Sequence, residues 1–269
     1  MALVIPLLKK RPFKYTLILG FIVLGIVFTS SAYLLYYVNE VEAIHYTLGG
    51  HEARFGIELL VDSFSALFTT IIVGLSSIIY IYSSGDATKG IEKKEYGRYY
   101  VLFFILLMSL FGILYTNDLF NTYVFIEILS ITTCAIISIK QKKDSYTSAF
   151  RYVMMNEIGS LSYLFGVALI YMATGFTNIT LVGEAMQNAY ALYPFNIVIA
   201  LAFMIVGLGI KAAIFPFHIW LPDAHSSAPS TSSALLSAIV IKVYLLVLVK
   251  VLFRVFGIDI LDDLNISTI

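Results

Sequence analysis

Charge is scarce in this 269-residue chain: Asp, Glu, Lys and Arg together make up 13% of it, and 17 basic residues balance 17 acidic ones. Zero net charge leaves no basic field for nucleic acid. Cysteine is rarer still. The single Cys134 excludes an intrachain disulfide framework and a thiolate metal cluster. A Gly-Lys-Ser/Thr phosphate loop, metal-spaced Cys/His pairs and a nucleophile elbow are also missing. The chain is therefore expected to have no catalytic residue, metal or cofactor of its own. What it has is apolar residues, 59% of the total, in long runs separated by short polar stretches. That is the composition of a polytopic membrane protein.

A spanning helix takes roughly 20 apolar residues. Seven stretches qualify: 15–38, 60–83, 97–116, 119–139, 149–173, 195–221 and 230–256. The first follows a basic N-terminus but runs too long for a signal-peptide core, so it reads as a retained helix. Connections are short except 39–59 and 174–194, so residues 1–269 read as one all-α transmembrane bundle. Twelve of the basic residues fall into three groups: Lys9, Lys10, Arg11 and Lys14; Lys89, Lys93, Lys94 and Arg98; Lys140, Lys142, Lys143 and Arg151. Opposite them lie Arg54 and Arg254. This asymmetry predicts a cytoplasmic N-terminus and a C-terminus outside.

The other three lysines, Lys211, Lys242 and Lys250, fall inside predicted spans. An intramembrane charge is costly unless it faces a partner or a wet cavity. Lys211 is followed by Pro216, His218 and His225. Proline removes a donor and clashes with the carbonyl four residues back, here Ala212. The stretch therefore reads as a discontinuous helix over 195–221, broken at Pro216 and lining a polar path. A lysine snorkelling from a helix end, with proline marking a loop, fits that stretch equally well. Glu127 sits mid-span and shares a helical stripe with Tyr123, Ser130 and Cys134. Lys242 is central in the last span and is expected to face the bundle interior as a relay group. Lys250, eight residues on, is expected to reach the outer interface. Glu157, six residues past Arg151, reads as nearer the cytoplasmic end, facing water or paired locally. Asp62 reads as a helix cap. His218 and His225 can relay protons or simply hold a loop. A Glu–Lys pair whose spacing changes can take up and release a proton near neutral pH, because burial and a nearby opposite charge push each group's affinity in opposite directions.

The run from Lys211 to Ser237, with Pro216-Phe217-His218-Ile219-Trp220-Leu221-Pro222-Asp223-Ala224-His225 and Ala228-Pro229-Ser230, resembles the signature of the antiporter-like membrane subunits. These occur in respiratory complex I, Mrp cation/proton antiporters and energy-converting membrane-bound hydrogenases. Asp118 through Ile128 is most similar to the Mrp D subunit and its hydrogenase counterparts, as are Leu48-Gly49-Gly50 and Phe55-Gly56-Ile57 followed by Asp62. The similarity covers about 45–254, the N-terminal half of such subunits. It implies that Glu127 pairs with the broken-helix lysine Lys211 and that Lys242 is the central relay lysine. From their residue types and places alone, His218, His225, Glu157 and Lys250 are further relay or gating candidates. The resemblance also implies a multi-pass protein of a prokaryotic plasma membrane, working with other membrane subunits and moving protons or Na⁺. Family members carry two inverted five-helix repeats. This chain holds two leading helices and one repeat, so a partner is expected to supply the second. A structural subunit with relic charges and a stand-alone cation/proton transporter are the rival expectations.

Overall fold

The computed structural model describes residues 1–2, 5, 13–54, 56–85 and 91–265. Lys9, Lys10, Arg11, Lys89 and Phe55, which entered the expectations above, lie outside them. Among the described residues, seven helices are long and apolar enough to cross a membrane, matching the seven predicted spans. Lipid offers no hydrogen bonds to a backbone, so long apolar runs must satisfy theirs within helices. In chain order the spans are α1 (Phe13–Glu40), α2 (Ser63–Ser84), α3 (Tyr96–Tyr115), α4 (Leu119–Ser138), α5 (Lys143–Thr174), α7 (Pro194–Lys211) and the segment Ser230–Asp263. The last is built from α9 (Ser230–Leu235), α10 (Ile241–Lys250) and α11 (Gly257–Asp263), joined by π-helical turns at Leu236–Val240 and Val251–Phe256.

Both long connections carry structure. Residues 39–59 lead into an antiparallel pair, β1 (Ile44–Thr47) with β2 (Glu58–Val61), registered with Ile44 opposite Val61. Residues 174–194 contain α6 (Ile179–Leu192), capped by the Asn178 side chain and separated from α5 by a left-handed Gly175 (φ 78°). Asp62 caps α2 as expected, accepting from Ser65 N while the Ser65 side chain accepts from Asp62 N. Its second oxygen takes Arg254 from the far end of the chain.

The hairpin end of the bundle is tied together by one buried carboxylate. Glu58 accepts from Asn117 (2.7 Å) and Asn178 (2.8 Å) and bonds His45 (2.7 Å), joining the hairpin to the α3–α4 and α5–α6 connections. Burial by itself would raise the Glu58 carboxyl, but these hydrogen bonds outweigh it and hold the group below its usual range. A depressed carboxylate stabilises the fold above its unfolded pKa of about 4.3, and the contribution is lost as pH falls through the folded value. The hydrogen-exchange protection of the Ile44–Thr47 amides, measured against the intrinsic rate at each pH, should therefore fall in acid, and Glu58→Gln should bring that weaker protection to neutral pH. Equal protection at neutral and strongly acidic pH would refute the assignment.

α5 and α7 meet backbone against backbone. A Cβ on Gly207 would stand 2.6 Å from the Gly159 carbonyl oxygen and 2.7 Å from Tyr163 N, and one on Gly159 would stand 2.9 Å from Gly207 O. Small residues at such crossings let backbones meet, which is how helices associate where burial from water no longer drives them. This contact fixes α7, and with it Lys211, against α5.

Candidate functional site

α7 stops at Lys211, five residues before the proline expected to break it. The chain turns through Ala213 in the left-handed region (φ 52°), with Ala213 N donating to Ile210 O (3.2 Å) and Ile214 N to Gly209 O (2.9 Å). This is the paired bond pattern that terminates helices, with alanine where glycine is usual. Trp220, opening the short helix α8 (Trp220–Ser227), donates its indole N–H to Ile210 O at 3.0 Å. Pro216 is exposed in the loop that follows, after a cis Phe215–Pro216 bond. The break is thus set by the turn at Ala213, and the freed carbonyls are met by neighbouring N–H groups.

The helix end delivers Lys211, fully buried, to the face of α4. Its Nζ donates to Ser130 Oγ at 2.9 Å and lies 5.6 Å from the ring centre of Tyr244. A cation at a helix C-terminus is favoured by the aligned backbone dipoles. Glu127 and Glu157 both act electrostatically on Lys211 and on each other. Ser130 lies one helical turn on from Glu127, and the ammonium makes its hydrogen bond to that hydroxyl. Glu157 corrects an expectation of depth. α5 begins at Lys143 and continues through Arg151, so Glu157 sits level with Glu127 rather than near a membrane face. Arg151, on the exposed side of α5, pairs with Asp223 at 2.5 Å.

Around this trio lie hydroxyls that sequence reasoning missed. Tyr152 neighbours Thr133 and Ser130, and Tyr244 neighbours Ser130 and Tyr152. Glu127 Oε1, Thr133 Oγ1, Tyr152 OH and Tyr244 OH are buried without a completed hydrogen bond. The available signal was the Glu127–Ser130–Cys134 stripe, which marks the α4 face but not what meets it.

The other candidates scatter. Lys242 departs from expectation: its side chain is exposed on the surface of this chain and folds back onto the Ser237 carbonyl in the widened Leu236–Val240 turn. Lys250 departs in the opposite sense. It is buried, donating to Thr116 O at 2.5 Å and facing Leu114 O at 3.4 Å, so the C-terminal carbonyls of α3 hold it in place of the outer interface. His218 is exposed, its ring 5.8 Å from that of Phe215. His225 bonds Ser233 at 2.7 Å, and burial followed by the charge of Lys242 lowers it below the ordinary histidine value, which keeps its ring neutral. Among the described residues no group of three or more His, Cys, Asp or Glu could hold a metal ion.

Residues 116–264, which contain Glu127, Glu157, Lys211, Lys242 and Lys250, match the transmembrane family described as NADH:quinone oxidoreductase/Mrp antiporter. The chain is 34% identical over 220 residues to an NADH-quinone oxidoreductase subunit N of Desulforudis audaxviator, covering 80% of this chain and 42% of that one. It is 31% identical over 212 residues to the D subunit of the Na(+)/H(+) antiporter of Bacillus subtilis, covering 78% and 42%. Among solved structures, a chain of the membrane-bound sulfane sulfur reductase, an archaeal respiratory membrane complex, superposes with a TM-score of 0.87 at 28% identity, covering 98% of this chain and 53% of that one. This chain therefore spans about half the length of such relatives. It belongs to the NADH:quinone oxidoreductase/Mrp antiporter transmembrane family.

Proposed function

We propose that this chain is a subunit of a multisubunit energy-converting membrane complex and carries part of a proton or sodium/proton path. One observation carries the reading: a fully buried lysine at an interrupted helix end, facing two carboxyls and a cluster of buried hydroxyls. Buried ionisable groups at membrane depth mark ion and proton pathways. Lys211 bonded to Ser130 is one position of the switch. Movement toward Glu127 or Glu157 strengthens the ion pair and withdraws the proton from transfer. Movement away frees it for the Tyr244 and Tyr152 hydroxyls. Lys242 then hands the charge onward across the exposed face of the last span to a second antiporter-like repeat, on this polypeptide or a partner. The name of one relative, a Na(+)/H(+) antiporter subunit, supports a proton or Na⁺ as the transported ion. The basic clusters support a cytoplasmic N-terminus in a prokaryotic plasma membrane.

The test is proton flux in vesicles containing the assembled complex. Glu127→Gln should slow coupled flux at least about tenfold, and Lys242→Ala should abolish it, with assembly retained in both. Full flux from both variants would leave the charges a packing role and sink the proposal.

A further inference from the structure

A second polar column runs through the bundle, away from Lys211. Asp62, Thr69, Ser76 and Ser83 recur every seven residues along α2 and so share one face. Seven residues rise about 10.5 Å, so the four positions extend over roughly 31 Å, the thickness of the hydrocarbon core. Thr69, Ser76 and Ser83 are all buried.

Hydroxyls from α3 and α9 meet this face. Tyr100 bonds Ser83 at 3.0 Å; Tyr99 lies against Thr231, beside Ser232; Tyr115 lies against Thr69. At the hairpin end the column reaches Lys250, held by the carbonyls flanking Tyr115 and influenced by Arg254 and Asp62.

The hydroxyls are only partly spent. Ser76 Oγ and Ser232 Oγ are buried without a hydrogen-bond partner, and in the Tyr99–Thr231 and Tyr115–Thr69 pairs one hydroxyl donates to the other, which leaves the acceptor's own proton unplaced. A helical Ser or Thr can always fold back on the carbonyl a turn earlier. Thr70 and Ser77, the next residues along, do so at 2.8 Å, to Ala66 and Val73. Thr69 and Ser76 stay turned into the seam. An unsatisfied buried hydroxyl costs about 1–3 kcal/mol, and two unpartnered hydroxyls beside two half-used pairs in one dry seam would weigh on a helix interface. Ordered water, which takes two to four hydrogen bonds from such groups, removes that penalty.

We infer that the α2–α3–α9 seam holds a file of ordered water that connects the Ser83 end of the bundle to the buried ammonium of Lys250. The file is separate from the Glu127–Lys211 cluster, and its existence does not depend on the function proposed for that cluster. It gives Lys250 an aqueous contact from within the bundle.

X-ray radiolytic footprinting on the assembled complex tests this, because oxidation during a brief exposure marks side chains beside bound water. Tyr163 is the dry reference, fully buried with its hydroxyl bonded to Leu119 O at 3.2 Å. Tyr99, as fully buried as Tyr163, should be oxidised at least about tenfold faster than Tyr163 if it touches one or more ordered waters. Ser76→Leu, which fills the middle of the seam, should bring Tyr99 down to the Tyr163 rate. Ser76→Val serves the same purpose if the leucine variant misfolds, an event reported by a rise in Tyr163 labelling. Tyr99 labelling as slow as Tyr163 in the unaltered complex would overturn the inference, as would fast labelling that persists in a folded Ser76→Leu or Ser76→Val complex.

Discussion

Lys211→Ala is expected to abolish proton-coupled transport in the reconstituted complex, and Lys211→Arg is expected not to restore it. The position is fully buried, and the side chain makes one hydrogen bond, to Ser130, with Tyr244 beneath it. Alanine removes the only cation that Glu127 and Glu157 both act upon among the described residues. Arginine keeps the charge, but its guanidinium does not give up a proton in proteins and needs a planar fork of acceptors. A relay needs a group that alternates between two protonation states, so a permanently charged replacement fails even where it fits. Proton-transfer groups contribute about 10²–10⁴ in rate, and the loss should fall in that range. A pH-sensitive dye trapped in proteoliposomes reads the flux. Lys211→Arg at full activity would show that only the charge matters and that Lys211 is not a proton carrier.

The largest structural effect is expected at Gly207. Its Cβ would meet two backbone atoms, Gly159 O at 2.6 Å and Tyr163 N at 2.7 Å, and backbone inside packed helices has nowhere to go. Gly207→Ala must push α7 from α5. Overpacking typically costs about 1–3 kcal/mol, and more where rigid elements collide. The displacement would also carry Lys211 away from Ser130, four residues along the same helix. The variant should lower the thermal midpoint of the purified complex and reduce its recovery from membranes. Gly25→Ala is the matched control: it too is helical, yet an added Cβ there meets nothing within 4 Å. Equal midpoints for the two variants would mean that the α5–α7 contact does not hold the site.

Much of this architecture could be read along the chain. The seven spans followed from run length, and Glu127 and Lys211 stood out because charge is rare in apolar runs. The details that escaped have identifiable causes. Proline is a visible helix breaker, whereas Ala213 in a left-handed turn has no sequence signature, so Pro216 marks the break five residues past the end of α7. Lys250 is held by carbonyls more than 130 residues away, and no local pattern announces that partner. The exposure of Lys242 depends on which neighbours surround the last span, and depth alone cannot decide direction. The seven-residue stripe on α2 was present in the sequence. Thr69 and Ser76 could equally have folded back like Thr70 and Ser77, so only the packed bundle distinguishes them.

The outward Lys242 also bears on what packs against the last span. A lysine at mid-span costs about 2.5–3.5 kcal/mol when it faces hydrocarbon, and its own Ser237 carbonyl relieves only part of that. On the function proposed above, a second antiporter-like repeat packs over this face and lowers that cost, whether it belongs to the same polypeptide or to another. The same ammonium that would pass a proton across the contact thus also makes the packing that covers it favourable.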